Sequence, residues 1–237
     1  MEYPGLELEN FDKAHIWRKY IFFLIKKYLK DDFLEVGAGI GSFTKNYLNE
    51  FQNITLTELD NNNINHLKKN FANNKNIKIL NSLTKNIDDK FNTIIHLNVL
   101  EHIQDDVSEI NDAMEKLNDK GHLIILVPAG SKLYGKFDKA IGHCRRYEVD
   151  FFKNIKFKSA EIIDLYSLDS FGYLLYLVNQ VLFKEEVYPS KFKIFIWDKI
   201  FTPITILIDY LLRYKFGKNI ICILKKKALN FHDESGK

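Results

Sequence analysis

The segment from Leu34 to Thr44, LEVGAGIGSFT, constrains this chain more than any other. Apolar residues at Phe33, Leu34 and Val36 predict a buried strand. That strand runs into glycines at three alternate positions, Gly37, Gly39 and Gly41. Ser42-Phe43-Thr44 is read as the opening of a helix that continues to about Phe51. A glycine turn between strand and helix lets a ligand touch bare backbone, because no Cβ intervenes. It also aims unpaired helix N–H groups at anionic or polar groups of that ligand. The arrangement reads as a cradle for a nucleotide-type cofactor.

The spacing narrows the choice of cofactor. In the dinucleotide fingerprint G-x-G-x-x-G/A the last position holds Gly or Ala; here it is Ser42, and the third glycine comes one residue early. The phosphate loop G-x-x-x-x-G-K-[ST] is absent. Ile54 to Asp60 reads as a second strand ending in acid, Glu58 and Asp60. Asn92 to Asn98 reads as a later strand and is followed by Val99-Leu-Glu-His102-Ile. Taken in this order, the three segments resemble the class I S-adenosylmethionine (SAM)-dependent methyltransferases. Glu35, Gly37, Gly39 and Gly41 occupy the four positions of that family's E/D-x-G-x-G-x-G motif, and residues 98–103 are similar to its NVLEHI segment. The resemblance covers residues 31–128 closely.

The resemblance implies a Rossmann-like α/β fold: a seven-stranded, mostly parallel sheet with helices on both faces and strand seven antiparallel. It implies S-adenosyl-L-methionine as cofactor and S-adenosyl-L-homocysteine as its product, with no metal. It assigns the ribose hydroxyls to Glu58, with Asp60 as substitute and Leu59 alongside. Glu35 falls near the methionine amino group, a role weighed against a solvated strand end. Asn98 and His102 lie beside the cofactor, although His102 also reads as a satisfied polar contact. Glu101 reads equally as a charge at a helix start. The sequence departs from the family after strand three, where Leu80-Asn81-Ser82-Leu83 replaces the Gly-Asp pair whose Asp binds adenine. Ser82 and Leu83, or Asn81, are left to meet the ring.

Periodicity supplies the remaining elements. Phe11 to Leu29 reads as a helix before strand one, and Ile77–Leu80 as strand three. Val99, Ile103, Val107, Ile110, Met114 and Leu117 predict one helix face. Residues 122–127 read as strand five, 160–168 as strand six and 220–225 as strand seven. The expected organisation is one domain over 1–237. Its cofactor half is 31–128 and its acceptor half 129–228, with a helical insertion at about 171–216 and a polar, frayed tail at 229–237.

Gly142-His143-Cys144-Arg145-Arg146-Tyr147 is the densest polar cluster outside the cofactor half. It resembles a G-H-x-R-R-Y segment that recurs in a bacterial subgroup of these methyltransferases. Histidine can take the proton of an attacking hydroxyl or amine, so His143 is the candidate base, weighed against a structural hydrogen-bonder. Arginine forks suit phosphate or carboxylate, so Arg145 and Arg146 are candidates to anchor an acidic acceptor. The competing reading is structural ion pairs with Asp138, Glu148 or Asp150. Tyr134 and Tyr147 are candidates to shape the pocket. His96, inside a strand, and Cys144 read as structural.

A net charge of +3 argues against a dedicated nucleic-acid binder. Cys144 and Cys222 have neither disulfide nor metal spacing. The first residues lack a signal-peptide pattern, and Asp198, Lys199, Pro203 and Asp209 interrupt the longest apolar window. The expected location is the cytoplasm or the inner face of a membrane. Residues 184–237 carry eleven Lys/Arg against six Asp/Glu. The insertion therefore reads as a lid, a core, a dimer face or a helix on an anionic membrane surface. The expected activity is methyl transfer to an oxygen, or secondarily a nitrogen, of a small, anionic, sugar-like or lipid-linked acceptor. A non-catalytic SAM-binding scaffold and an RNA methyltransferase are the rivals, although N/D-P-P-Y/F, the motif for base amines, is absent.

Overall fold

In the computed structural model of the protein, residues 4–5, 7–157, 159–182 and 188–228 are described. The tail at 229–237 lies outside them. Seven strands form one sheet: β1 (Phe33–Val36), β2 (Ile54–Thr57), β3 (Ile77–Leu80), β4 (Phe91–Leu97), β5 (Leu117–Pro128), β6 (Ala160–Leu168) and β7 (Asn219–Lys226). Their order is β3-β2-β1-β4-β5-β7-β6. The first five strands pair in parallel, and β7 runs antiparallel between β5 and β6. This is the Rossmann-like arrangement expected of the sequence.

Residues 123–127 of β5 form an unbroken apolar run because both sheet faces are covered there. Leu34, Ile94, Leu123, Ile125 and Cys222 belong to one buried layer, and Phe33, Ile95, Ile124, Leu126 and Ile221 to the other. Burial pushes the Cys222 thiol up to about 12, so it is a small apolar core residue.

The helices are α1 (Leu8–Phe11), α2 (His15–Ile25), α3 (Asn61–Asn70), α4 (Asp106–Lys116), α5 (Lys136–Ala140), α6 (Val149–Asn154), α7 (Ser170–Leu182), α8 (Lys191–Ile196) and α9 (Thr202–Leu211). A π-turn, Trp197–Phe201, joins α8 to α9. Three local expectations fail. The helix expected over Phe11 to Leu29 is broken, with Phe11 ending α1 and α2 covering only His15–Ile25. No α-helix follows the glycine turn, where only a 3-10 turn forms at Thr44–Asn46. Side chains there compete with helix bonding: Thr44 and Tyr47 donate to the Glu35 carboxylate, and Asn46 Nδ2 donates to the Phe43 carbonyl at 2.8 Å. The helix face expected from Val99 onward begins only at Asp106, so Val99 and Ile103 precede α4, and Val107 is exposed. Asp105 sets that start by accepting the Ser108 amide at 3.1 Å.

The insertion between β6 and β7 is pinned by buried carboxylates. Asp198, on the π-turn, accepts the backbone N–H groups of Ile16 (3.1 Å) and Trp17 (2.9 Å), capping α2 from far along the chain. Asp209 on α9 accepts Tyr20 Oη at 2.9 Å, the Asp169 and Ser170 amides at 2.8 and 2.9 Å, and Ser170 Oγ at 2.6 Å. The acids that interrupt the apolar window in sequence thus close α2, α7 and α9 into a roof over the carboxyl ends of the strands.

Candidate active site

A cavity of about 1480 Å³ lies beneath that roof. A typical small-molecule pocket occupies roughly 300–1,000 Å³, so a cofactor and an acceptor fit together. One end is built by β1, β2 and β4. Gly37 turns the chain out of β1 at φ +64°, where a Cβ would lie 2.7 Å from Val99 Cγ2. Gly41, at φ +79°, has a different reason: a Cβ would meet the Phe71 ring at 2.4 Å, and the residue does not line the cavity. Its amide donates to the Ala38 carbonyl at 2.9 Å, so Gly41 holds the turn against α3 and presents nothing to a ligand.

Gly37, Gly39, Glu58, Leu59, Ser82, Leu83, Asn98 and His102 line the cavity. The Glu58 carboxylate accepts the amides of Gly39 (2.8 Å), Leu59 (2.7 Å) and Asp60 (2.9 Å), which places it against the glycine turn at the mouth of β2. Asp60 accepts the Asn63 amide at 2.8 Å as the N-cap of α3, so it has a structural duty of its own. Asn98 ends β4 at φ +56°, a region that Asn tolerates better than most residues. Asn81 donates to Asn61 at 3.2 Å, whereas Ser82 faces the cavity. Glu35 lines the cavity and is 4% exposed, so it is not a solvated strand end. Burial pushes its carboxyl up to about 7, against the opposing effect of the Thr44 and Tyr47 hydroxyls.

The other end gathers distant segments. Cys144 N donates to the Glu101 carbonyl at 2.7 Å and Tyr147 Oη to the Leu100 carbonyl at 3.1 Å, which lays the 142–147 loop along the NVLEHI segment. Gly142, at φ +81°, packs under Pro4 and beside His102. The rings of His102 and His143 then meet edge-on, 4.7 Å apart. His143 Nδ1 lies 2.9 Å from Asp138 Oδ1, and its Nε2 lies 3.7 Å from Glu101 Oε1. Asp138 is the hub of this end. It takes Arg146 Nε at 2.8 Å, the Gly135 amide at 2.9 Å and Tyr176 Oη at 3.3 Å. Burial alone would raise the Asp138 carboxyl, but the bonds from His143 and Arg146 outweigh it and hold it at about 2. Burial depresses His102 to about 4, with the nearby His143 adding to the effect.

Glu101 is 0% exposed, and neither carboxylate oxygen has a hydrogen-bond partner. Burial pushes it up to about 8. It lines the cavity and is no mere helix-start charge. Its exposure and pairing are invisible in sequence; Asp138 is expected there as an arginine partner, which it is for Arg146, but not as the partner of His143.

Three of the four residues expected to hold the acceptor stand elsewhere. Tyr134 Oη donates to the His143 carbonyl at 2.7 Å and supports the loop from outside the cavity. Arg145 pairs with Asp106 at 2.6 Å and donates to the Gln104 carbonyl at 2.8 Å. Tyr147, 2% exposed, donates to the same Asp106. Only Arg146 reaches the cavity, and Asp138 already balances its charge. The anionic acceptor read from the arginine pair therefore loses its support. His96 bonds Glu109 at 2.9 Å, a structural role. The roof supplies Phe11, Trp17, Tyr176, Ile194 and Trp197, with Lys218 at 5.6 Å from the Trp197 ring.

The residues at the first end suit S-adenosyl-L-methionine: an acid at the β2 mouth, a glycine turn with left-handed backbone, and a second acid buried at the end of β1. Comparison with known proteins agrees. A family model described as a methyltransferase domain matches residues 11–175. No curated protein sequence matches the chain. Among solved structures, an S-adenosylmethionine-dependent methyltransferase from Clostridium acetobutylicum is 16% identical, with a TM-score of 0.57 over 91% of this chain and 92% of that one. The N-methyltransferase NodS from Bradyrhizobium japonicum, in complex with S-adenosyl-L-homocysteine, is 11% identical, with a TM-score of 0.61 over 94% of each chain. Coclaurine N-methyltransferase, bound to N-methylheliamine and S-adenosyl-L-homocysteine, is 11% identical, with a TM-score of 0.59 over 89% of this chain and 72% of that one. At these identities the likeness is one of fold.

Proposed function

The chain belongs to the methyltransferase-domain family, and on that premise we propose that it moves a methyl group from S-adenosyl-L-methionine to an oxygen of a small or lipid-linked acceptor. The observation that carries this reading is the continuity of one cavity from Gly39 and Glu58 to Glu101 and His143. When bound, the cofactor supplies an activated methyl group on a sulfonium. Glu58 would take the ribose diol, Glu35 the amino group, and Ser82 and Leu83 the adenine side. The protein's work is alignment and exclusion of water, for which the aromatic roof is suited. His143, oriented by Asp138 at 2.9 Å, is the group assigned to activating the acceptor oxygen. A nitrogen acceptor is the second reading. The Glu101 carboxylate, which accepts no hydrogen bond, would suit an amine cation, and two of the structural relatives are N-methyltransferases.

Calorimetric titration with S-adenosyl-L-homocysteine is expected to show one site per chain. No heat from either donor or product would end the proposal. Incubation with alcohol and amine panels, read as S-adenosyl-L-homocysteine release, separates the two acceptor readings.

A lipid-linked acceptor draws support from the outside of the roof. Phe192 is 69% exposed, Leu207 60%, Tyr210 69% and Leu211 67%, beside exposed Lys191, Arg213 and Lys215. Apolar side chains among cations suit an anionic membrane surface, and among the described residues no helix is long and apolar enough to cross one. Sedimentation with phosphatidylglycerol vesicles is expected for the natural chain and is expected to weaken with Leu207→Asp. Equal sedimentation of both would remove the lipid surface from the reading.

A further inference from the structure

Glu101, His102 and His143 each offer one ligand atom, and these atoms lie within 4.8 Å of one another. Donors about 2.1 Å from a shared ion stand about 3.0 to 3.5 Å apart, so modest side-chain rotation closes the set. The surroundings are those of a built site. Glu101 is fully buried with neither oxygen hydrogen-bonded and the His143 ring 3.7 Å from one of them, and it faces the cavity. A buried carboxylate left in that condition is costly unless something pairs with it. His143 already gives Nδ1 to Asp138, which leaves Nε2 directed toward Glu101. A ring nitrogen of His102 bonds the Gly142 backbone. Both imidazoles therefore carry the outer partner that metal-ligating histidines almost always have, one a carboxylate and the other a main-chain group. The segment that brings them together is itself anchored, by Cys144 N to the Glu101 carbonyl and by Tyr134 Oη to the His143 carbonyl.

We propose that Glu101, His102 and His143 bind one divalent cation at the acceptor end of the cavity, with Asp138 orienting His143. Two imidazoles and one carboxylate suit Zn²⁺, Co²⁺, Mn²⁺ or Fe²⁺ better than the all-oxygen preference of Mg²⁺ or Ca²⁺. Three protein ligands in a cavity wall leave coordination positions open to the acceptor. The inference rests on the methyl-transfer reading and deepens it. The cation's charge lowers the pKa of a hydroxyl facing it, so it takes over activation where a free imidazole was assigned, and it gives the Glu101 charge a counterion.

The test measures metal rather than turnover. Protein stripped with a chelator is titrated with Zn²⁺ by calorimetry, its content is counted by elemental analysis, and Co²⁺ is added to read its visible absorption bands. The natural chain is expected to take up one cation. Glu101→Gln and His102→Gln are each expected to abolish uptake, and Asp138→Asn to weaken it roughly 10- to 100-fold. Circular dichroism checks that each variant is folded. Glu58→Gln, which touches only the cofactor end, is expected to keep full uptake while weakening S-adenosyl-L-homocysteine binding, so the two readings fail separately. No uptake of Zn²⁺ or Co²⁺ by the natural chain, or undiminished uptake by folded Glu101→Gln and His102→Gln, overturns the proposal.

Discussion

The two ends of the cavity are built on different principles. At the glycine end, the groups offered to a ligand come from strands adjacent in the sheet: a turn after β1, an acid after β2 and an Asn after β4. Backbone conformation does most of the positioning. At the His143 end, side chains from residues 101, 102, 138, 143, 146 and 176 converge, and no two neighbouring segments suffice. The first end needs little beyond the sheet and its turns. The second depends on a network in which Asp138 alone serves a histidine, an arginine, a tyrosine and a backbone amide.

Crossed substitutions give the strongest break. His143→Asn is expected to reduce turnover by about 10²- to 10⁴-fold, the range of a lost activating group, while S-adenosyl-L-homocysteine affinity stays within a factor of about two. Glu58→Gln is the mirror image, with affinity for that product falling about 10- to 100-fold, as for a lost charged hydrogen bond. If His143→Asn weakens the product as much as Glu58→Gln does, the ends are not separable. The roof is the next test. Asp209→Ala strands the Tyr20, Asp169 and Ser170 donors. Each of these four orphaned groups costs roughly 1–3 kcal/mol, so a loss of at least about 4 kcal/mol and a Tm lower by at least about 8 °C are expected. Thermal melts of both proteins check it, and a Tm unchanged by the substitution would show that the roof does not need this anchor.

The smallest effect sharpens the comparison at the glycine end. Below pH 4.5 the Glu35 carboxyl is protonated whether the chain is folded or not. Between about 4.5 and about 7 the unfolded chain ionises it and the folded chain resists. Stability therefore falls as pH rises through that window, by at most about 3 kcal/mol. Denaturant melts of the natural chain and Glu35→Gln at pH 4.5 and 7.5 are expected to diverge in this sense. Parallel pH profiles would mean that Glu35 ionises as an ordinary carboxylate.

The same contrast explains what could be read in advance. Ile77–Leu80 and Ala160–Leu168 were legible as strands because β-branched, apolar runs between turn residues state their own conformation. The lack of an α-helix after Gly41 was not, because Thr44 and Tyr47 are claimed by Glu35, a contact between residues that periodicity treats as independent. Arg145 and Arg146 look identical in sequence. One side chain is spent on Asp106 and the other reaches the cavity, and only the packing of the 142–147 loop decides which. Asp198 and Asp209 read as interruptions, but they are helix caps whose partners lie about 180 residues earlier or some 40 away. An N-cap signal works in sequence only when the cap precedes its own helix.

β7 has a consequence for how the molecule comes into being. Residues 219–226 slot between two strands made well before them, and β6 has no other neighbour in the sheet. During synthesis β6 must wait with neither edge paired, and β5 with one edge open, while α7 to α9 are already translated, until this stretch leaves the ribosome. Such an edge invites pairing with other chains, so slow emergence of these last residues of the sheet would favour aggregation over enzyme.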